Sequence, residues 1–181
     1  MKKTLILILI LTLVGCGSHK NKTIETKVTS SQKIENFIKS QNYIVHLPNN
    51  WQPILNSHDS LSFSPKNLGD IFYKNMVTIF KKSKDKSEKA TLKTFTEKNI
   101  GMLNSKNKFN NTVYTTKQTR FGETYIFGYK QHWNATNYIV NIIYFEYKDD
   151  NYMLRYDSSD KFYNTYLTDV DFIYNNLEFN N

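Results

Sequence analysis

Tyr138-Ile139-Val140-Asn141-Ile142-Ile143-Tyr144-Phe145-Glu146-Tyr147 decides the fold. Successive strand residues point to opposite faces, so Tyr138, Val140, Ile142 and Tyr144 share one side and Ile139, Ile143, Phe145 and Tyr147 the other. Both sets are largely apolar. A strand with one wet face alternates with charge, so this one is central and covered on both sides by helices or long loops.

Working outward, Thr112 to Thr119, Glu123 to Trp133 and Tyr152 to Tyr156 are further stretches rich in Tyr, Ile, Val and Phe, as strands are. Arg120-Phe121-Gly122, Asn134 to Asn137 and Lys148 to Asn151 separate them, and connections so short join antiparallel neighbours. After them, Phe162, Tyr163, Tyr166, Leu167, Val170, Ile173, Tyr174 and Leu177 form a stripe at helical spacing, with Ser158 or Ser159 placed to cap it. Upstream, Leu92, Phe95, Asn99, Met102 and Leu103 predict a second helix, capped by Thr91. Lys81 to Lys89 precedes it as a charged loop. Tyr43 to Leu47, Leu61 to Ser64 and Met76 to Phe80 predict strands, with turn chemistry at Pro48-Asn49-Asn50-Trp51. The expected fold class is α+β, an antiparallel sheet between helical layers.

The composition agrees with one folded domain. Of 181 residues, 15% are aromatic and 22% charged, far from the aromatic-poor composition of disordered chains. A single Cys excludes an internal disulfide and a zinc finger. The 148 residues from Ile34 to Asn181 suffice to bury about 70% of their unfolded surface. Formal charge is +8, but 22 of the 24 cations are Lys, scattered among Asn and Thr. That pattern describes a solvated surface rather than a fork-shaped phosphate reader, so no nucleic-acid partner is expected. Attraction to anionic lipid headgroups is a weaker use of the same charge.

The amino terminus carries an address. Met1-Lys2-Lys3 is a basic start, Thr4 to Val14 an apolar run, and Leu13-Val14-Gly15-Cys16 ends it. The run is about half the ~20 residues that a membrane-crossing helix needs, so it reads as an export signal. The last four residues look like a bacterial lipobox. The Cys16 thiol would then receive a diacylglyceryl group, residues 1–15 would be cleaved, and the new amine acylated. One chain anchors only marginally, whereas two or three hold a protein permanently. Residues 16–33 then form the lipidated Cys and a polar tether, whose seventeen residues after the Cys average roughly 23 Å end to end. Residues 34–181 form the globular domain. The expected location is the bacterial cell envelope, facing periplasm or exterior.

Tyr43-Ile44-Val45-His46-Leu47-Pro48 with Trp51, the Leu92/Phe95 helix, the Gly122 hairpin, Tyr152 to Tyr156, and the closing Ile173-Tyr174-Asn175-Asn176-Leu177-Glu178-Phe179 together resemble the PsbP-like fold. That superfamily includes the extrinsic P subunit of the oxygen-evolving complex, DcrB-type bacterial lipoproteins and the nuclear Ran-GTPase release factor. The resemblance spans residues 34–181 and implies an α/β/α sandwich. It also implies a docking or ligand-holding role, because members assist membrane complexes, regulate a GTPase or bind lipids without a shared catalytic centre. The lipidated bacterial branch is the nearest match.

The residues themselves show no catalytic set. The only thiol is committed to the anchor, and Asp157-Ser158-Ser159-Asp160 places its hydroxyls for helix capping rather than in a nucleophile elbow. His19, His46, His58 and His132 lack metal-ligand spacing, although His46 and His58 can face each other across a hairpin. Asp149-Asp150-Asn151 lacks the glycine and bidentate glutamate of a calcium loop and reads as a turn. Asp169 and Asp171 point different ways on their helix and read as surface charge. Asp59-Ser60-Leu61 looks like a short O-glycosylation site, with an unmodified loop as the plainer reading. The aromatic residues supply either a core or the lining of a lipid or glycan pocket. No cofactor, metal or catalytic residue is expected. The functional expectation is a non-enzymatic, lipid-anchored domain that docks on an envelope complex or holds a small apolar ligand. The alternative is an envelope lipid- or glycan-acting hydrolase or transferase assembled from distant polar residues.

Overall fold

A computed structural model describes residues 30–55, 61–83, 91–106 and 109–180. Cys16, His19, His58, Asp59, Ser60 and most of the charged loop lie outside the described residues.

Seven strands build the main sheet: β2 (Trp51–Leu55), β3 (Leu61–Pro65), β4 (Asn75–Ser83), β5 (Asn110–Thr119), β6 (Gly122–Trp133), β7 (Thr136–Tyr147) and β8 (Asp150–Ser159). Their spatial order is β2-β3-β4-β8-β7-β6-β5, with every neighbour antiparallel. A two-stranded ribbon pairs β1 (Tyr43–Ile44) with β9 (Glu178–Phe179). The helices are α1 (Ser30–Ser40), α2 (Leu92–Lys106) and α3 (Asp160–Asn175), and a 3-10 segment, Lys66–Lys74, precedes β4.

The strand expected at the centre, β7, is interior and covered on both faces as its sequence dictates, although β8 is the middle strand of the seven. On β7, Tyr138, Val140, Ile142 and Tyr144 pack with Tyr125, Phe127 and Tyr129 of β6 under Leu92 and Phe95 of α2. Phe145 packs on the opposite face with Tyr152, Leu154, Tyr156, Val77 and Ile79, under Tyr166, Val170, Ile173 and Tyr174 of α3. The α3 residues recur at i, i+4, i+7 and i+8, the stripe a helix needs to lie on a sheet. Leu177, beyond the helix end at Asn175, is fully buried and closes that layer.

Turn chemistry sets the hairpins. Asn134 and Ala135 both have positive φ, the two-residue turn whose twist suits antiparallel strands. Gly122 opens β6 at φ 82, where a side chain would be strained. Lys148 and Asp149 form the β7–β8 turn, whereas Asp150 and Asn151, read as part of that turn, already open β8, with Asp150 paired to Lys81 at 2.8 Å.

Several elements differ from the sequence expectation. Tyr43 to Leu47 forms only a two-residue strand, because its partner is the chain end rather than a local hairpin. Trp51 starts a strand instead of a turn, and its Pro53 is tolerated because β2 is an edge strand, where a missing N–H leaves no gap in the ladder. Helix α1 begins at Ser30, inside the stretch read as tether, and buries Ile34 and Phe37 against the α3-side core. Thr91 caps α2 as expected, accepting the Thr94 N–H at 3.3 Å. Ser159 occupies the N-cap of α3 but makes no side-chain cap bond, and Ser158 donates instead to the Ser159 carbonyl at 3.0 Å. There the Asp160 carboxylate accepts the Lys161 N–H at 2.8 Å.

Gly128 shows how tightly the sheet meets α3. A Cβ there would lie 2.6 Å from Asn141 Oδ1, and the Asn141 amide donates to the Tyr163 hydroxyl of α3. Gly128→Ala is expected to cost about 2 kcal/mol by urea unfolding, because Asn141 must leave Tyr163. In an Asn141→Ala background the same change is expected to cost clearly less, so the two costs will not add.

Candidate functional site

An apolar cleft of about 270 Å³ lies between α1, the β1 segment and the β2–β3 edge of the sheet. Its position follows from the local chain path. The β1 ribbon holds Tyr43 beneath Tyr152 and Phe179, at ring separations of 6.2 Å each. Asn180 donates to the Asn42 carbonyl at 3.0 Å and closes the ribbon. The chain then runs out through Val45 and Leu47, with Pro53, Leu61 and Phe63 behind them. Ile38 and Ile44 stand at the rim, 41% and 45% exposed.

The chemistry of this cleft is nearly all hydrocarbon. Lys39 is its one cationic side chain, and Gln41 and Asn180 supply the amides. Tyr43 contributes a neutral phenol, since burial first and the nearby Tyr152 second push its pKa far up. Such a lining holds an apolar molecule by excluding water and offers no acid or base for proton transfer.

A second, more open hollow of about 510 Å³ runs along the start of α2, with Glu123, Glu146, Lys93 and Lys148 in its walls. Tyr125 donates its hydroxyl to Glu123, and that bond, with burial, pushes the phenol up to about 12. Glu123 and Glu146 did not stand out in the sequence, because nothing in their spacing announces that the β5–β6 and β7–β8 ends share one hollow.

The predicted site residues are dispersed. His46 meets Glu178 at 3.2 Å, with both side chains about half exposed, and His132 Nδ1 lies 2.8 Å from Asn137 Oδ1. Among the described residues, no group of three or more His, Cys, Asp and Glu is placed to hold a metal ion. Asp169 is more than surface charge: it accepts the Trp51 indole N–H at 2.8 Å and ties α3 to the sheet edge. The Tyr163 pKa is raised by burial, against the Asn141 hydrogen bond, and Asp171 adds to the rise.

A pair that sequence reading missed sits on the α2-side face. Arg155 donates twice to Asp157, through Nε and a terminal nitrogen, both at 2.7 Å. Burial works against the guanidinium charge, but the bond to Asp157 and that group's charge outweigh it and hold the Arg155 pKa above its ordinary value. Both carboxylate oxygens are taken by this pair, so Asp157 is not poised as a general base. The signal was an Arg-x-Asp alternation inside an otherwise apolar strand.

No family model matches the chain, and no curated protein matches it. Solved structures do. LpqN of Mycobacterium tuberculosis, involved in cell envelope biogenesis, aligns over 77% of this chain and 83% of its own, at 11% identity and a TM-score of 0.57. The cyanobacterial PsbP (CyanoP) of Synechocystis aligns over 76% and 86%, at 9% identity and a TM-score of 0.52. A Bacteroides thetaiotaomicron protein aligns over 77% of this chain but 46% of its own, at 10% identity and 0.54. At these identities the likeness concerns backbone architecture. The seven-stranded antiparallel sheet between α2 and α3 is a PsbP-like α+β fold.

Proposed function

We propose that this protein is an envelope domain, tethered through lipid on Cys16, that holds a small apolar ligand in the cleft between α1 and the β2–β3 edge. The carrying observation is the cleft itself: apolar walls, a neutral Tyr43 and one cation at the margin. Support for the location comes from Leu13-Val14-Gly15-Cys16 and from the likeness to a protein of cell envelope biogenesis. Among the described residues no helix is long and apolar enough to cross a membrane.

The test of the cleft is binding of a fluorescent fatty acid to the full chain. Ile44→Asp places a charge at an exposed rim position; because its strand partner is Glu178, urea unfolding first checks that the fold is intact, and affinity is then expected to drop about tenfold or more. Unchanged affinity in that variant would contradict the assignment. The test of the tether is labelled fatty acid in growing cells, where Cys16→Ser is expected to abolish incorporation and continued labelling would contradict it.

The second reading, a hydrolase or transferase on envelope lipid or glycan, draws on the hollow that brings Glu123 and Glu146 together. Turnover of envelope glycan that disappears in Glu146→Gln would favour it over simple holding.

A further inference from the structure

We propose that a cleft at the amino-terminal end of α3 binds the phosphate of an anionic phospholipid headgroup, while Ile71, Tyr73 and Trp133 enter the membrane surface around it. The cleft measures about 310 Å³ and lies where the 3-10 segment, the β6–β7 turn and α3 meet. Lys74, Lys161, Thr136, Asn137 and Ser159 line it.

Three independent features suit an anion. The first turn of a 16-residue helix presents N–H groups and the positive end of its dipole. Ser159 lines the cleft and is only 3% exposed, yet its Oγ makes no cap bond and has no hydrogen-bond partner among the described residues. A buried hydroxyl without a partner is costly, and a ligand oxygen would remove that cost. Lys74 and Lys161 set two cations against the one carboxylate of Asp160, which accepts the Lys161 N–H and opposes an incoming anion.

The rim then selects a lipid over a soluble phosphate. Ile71 is 39% exposed, Tyr73 44% and Trp133 57%, and the Trp133 ring lies 6.3 Å from Tyr138 at the same end of the sheet. Ile71 lines the cleft itself, Tyr73 follows it on the same 3-10 segment, and Trp133 ends β6 beside the Asn134–Ala135 turn whose Ala135 also lines the cleft, so the three lie at one end of the sheet. Amphipathic aromatic rings beside lysines match the headgroup layer, where apolar body and polar tip are both satisfied. This docking end is distinct from the apolar cleft and stands or falls separately from it.

The experiment uses the full chain incorporated into vesicles whose acyl chains carry bromine. Trp51 is buried and hydrogen-bonded to Asp169, so quenching by the acyl chains reports Trp133. In phosphatidylcholine vesicles with about one-third phosphatidylglycerol, Trp133 is expected to be quenched, and Lys74→Ala and Lys161→Ala each to reduce the docked fraction ratio about fivefold. Trp133→Phe is expected to abolish the signal. Equal quenching in pure phosphatidylcholine would overturn the headgroup assignment. Amide shifts at Ser159 and Lys161 that saturate with inorganic phosphate, without quenching in any vesicle, would replace it with a soluble phosphate site. No response in either arm would end the proposal.

Discussion

Tyr152→Ala is expected to destabilise the domain by about 4 kcal/mol, the cost of truncating a large buried aromatic. Tyr152 is fully buried at the point where the sheet, the β1–β9 ribbon and the α3-side core meet. It stacks on Phe145 at 5.5 Å, meets Phe179 edge-on at 5.0 Å and Tyr43 at 6.2 Å. Its hydroxyl accepts from the Asn42 amide at 2.8 Å, which fixes the residue before β1. Truncation therefore opens a cavity and loosens the ribbon that forms the cleft floor. Tyr152→Phe keeps the ring and loses only the bond to Asn42, so about 1 kcal/mol is expected. Urea unfolding of the two variants checks both values. Similar losses in the two would mean that the hydroxyl, not ring packing, carries the contact. Because Tyr43 also lines the cleft, fatty-acid binding is expected to weaken in Tyr152→Ala even where the protein remains folded.

Asp157→Ala is expected to cost about 3 kcal/mol, because it leaves the Arg155 guanidinium on a largely enclosed face without its carboxylate. The side chains are 28% and 15% exposed, buried enough for the loss to exceed that of a surface pair. Replacing both members by apolar residues, Arg155→Met with Asp157→Leu, is expected to recover most of the stability, since neither charge then needs desolvation. A double variant as unstable as Asp157→Ala would show that the pair does more than satisfy itself. Calorimetric unfolding of the three proteins gives the comparison, with about 6–12 °C expected for the single change in a domain of this size.

The parts of the fold that could be read in advance are those whose reasons are local. The two-sided pattern of Tyr138 to Tyr147 placed β7 in the interior of the sheet, beside the middle strand β8, and the short turns around it dictated antiparallel neighbours. Both long helices announced themselves by spacing, and α2 also by its Thr91 cap, whereas neither Ser158 nor Ser159 makes the side-chain cap bond expected at α3. What escaped depends on distant partners. The Trp51–Leu55 strand contains a proline that reads as turn chemistry until the edge position of β2 is known. The β1 strand shrinks because its partners lie far along the chain, Phe179 opposite Tyr43 and Glu178 opposite Ile44. Helix α1 carries only Ile34, Phe37 and Ile38 as apolar residues, too few to stand out from a polar tether.

Site residues follow the same division. His46 seeks Glu178 and Trp51 seeks Asp169, contacts across more than a hundred residues that no spacing rule reveals. Arg120 read as part of a turn, but it reaches the carbonyls of Tyr174 and Leu177 and neutralises the negative end of α3. The apolar cleft draws on α1, β1, β2 and β3, each supplying residues that are ordinary core formers in isolation. A cleft made of hydrocarbon has no motif, whereas lipid on Cys16 is proposed entirely from a motif, Leu13-Val14-Gly15-Cys16, outside the described residues.

The most direct test of the account is native mass spectrometry of the full-length product isolated from membranes of its own host. The account predicts a chain beginning at Cys16 with covalent acyl mass, carrying in addition a non-covalent apolar molecule that is missing from Ile44→Asp. An unacylated chain, or an acylated chain whose bound molecule persists in Ile44→Asp, would contradict the tether in the first case and the cleft in the second.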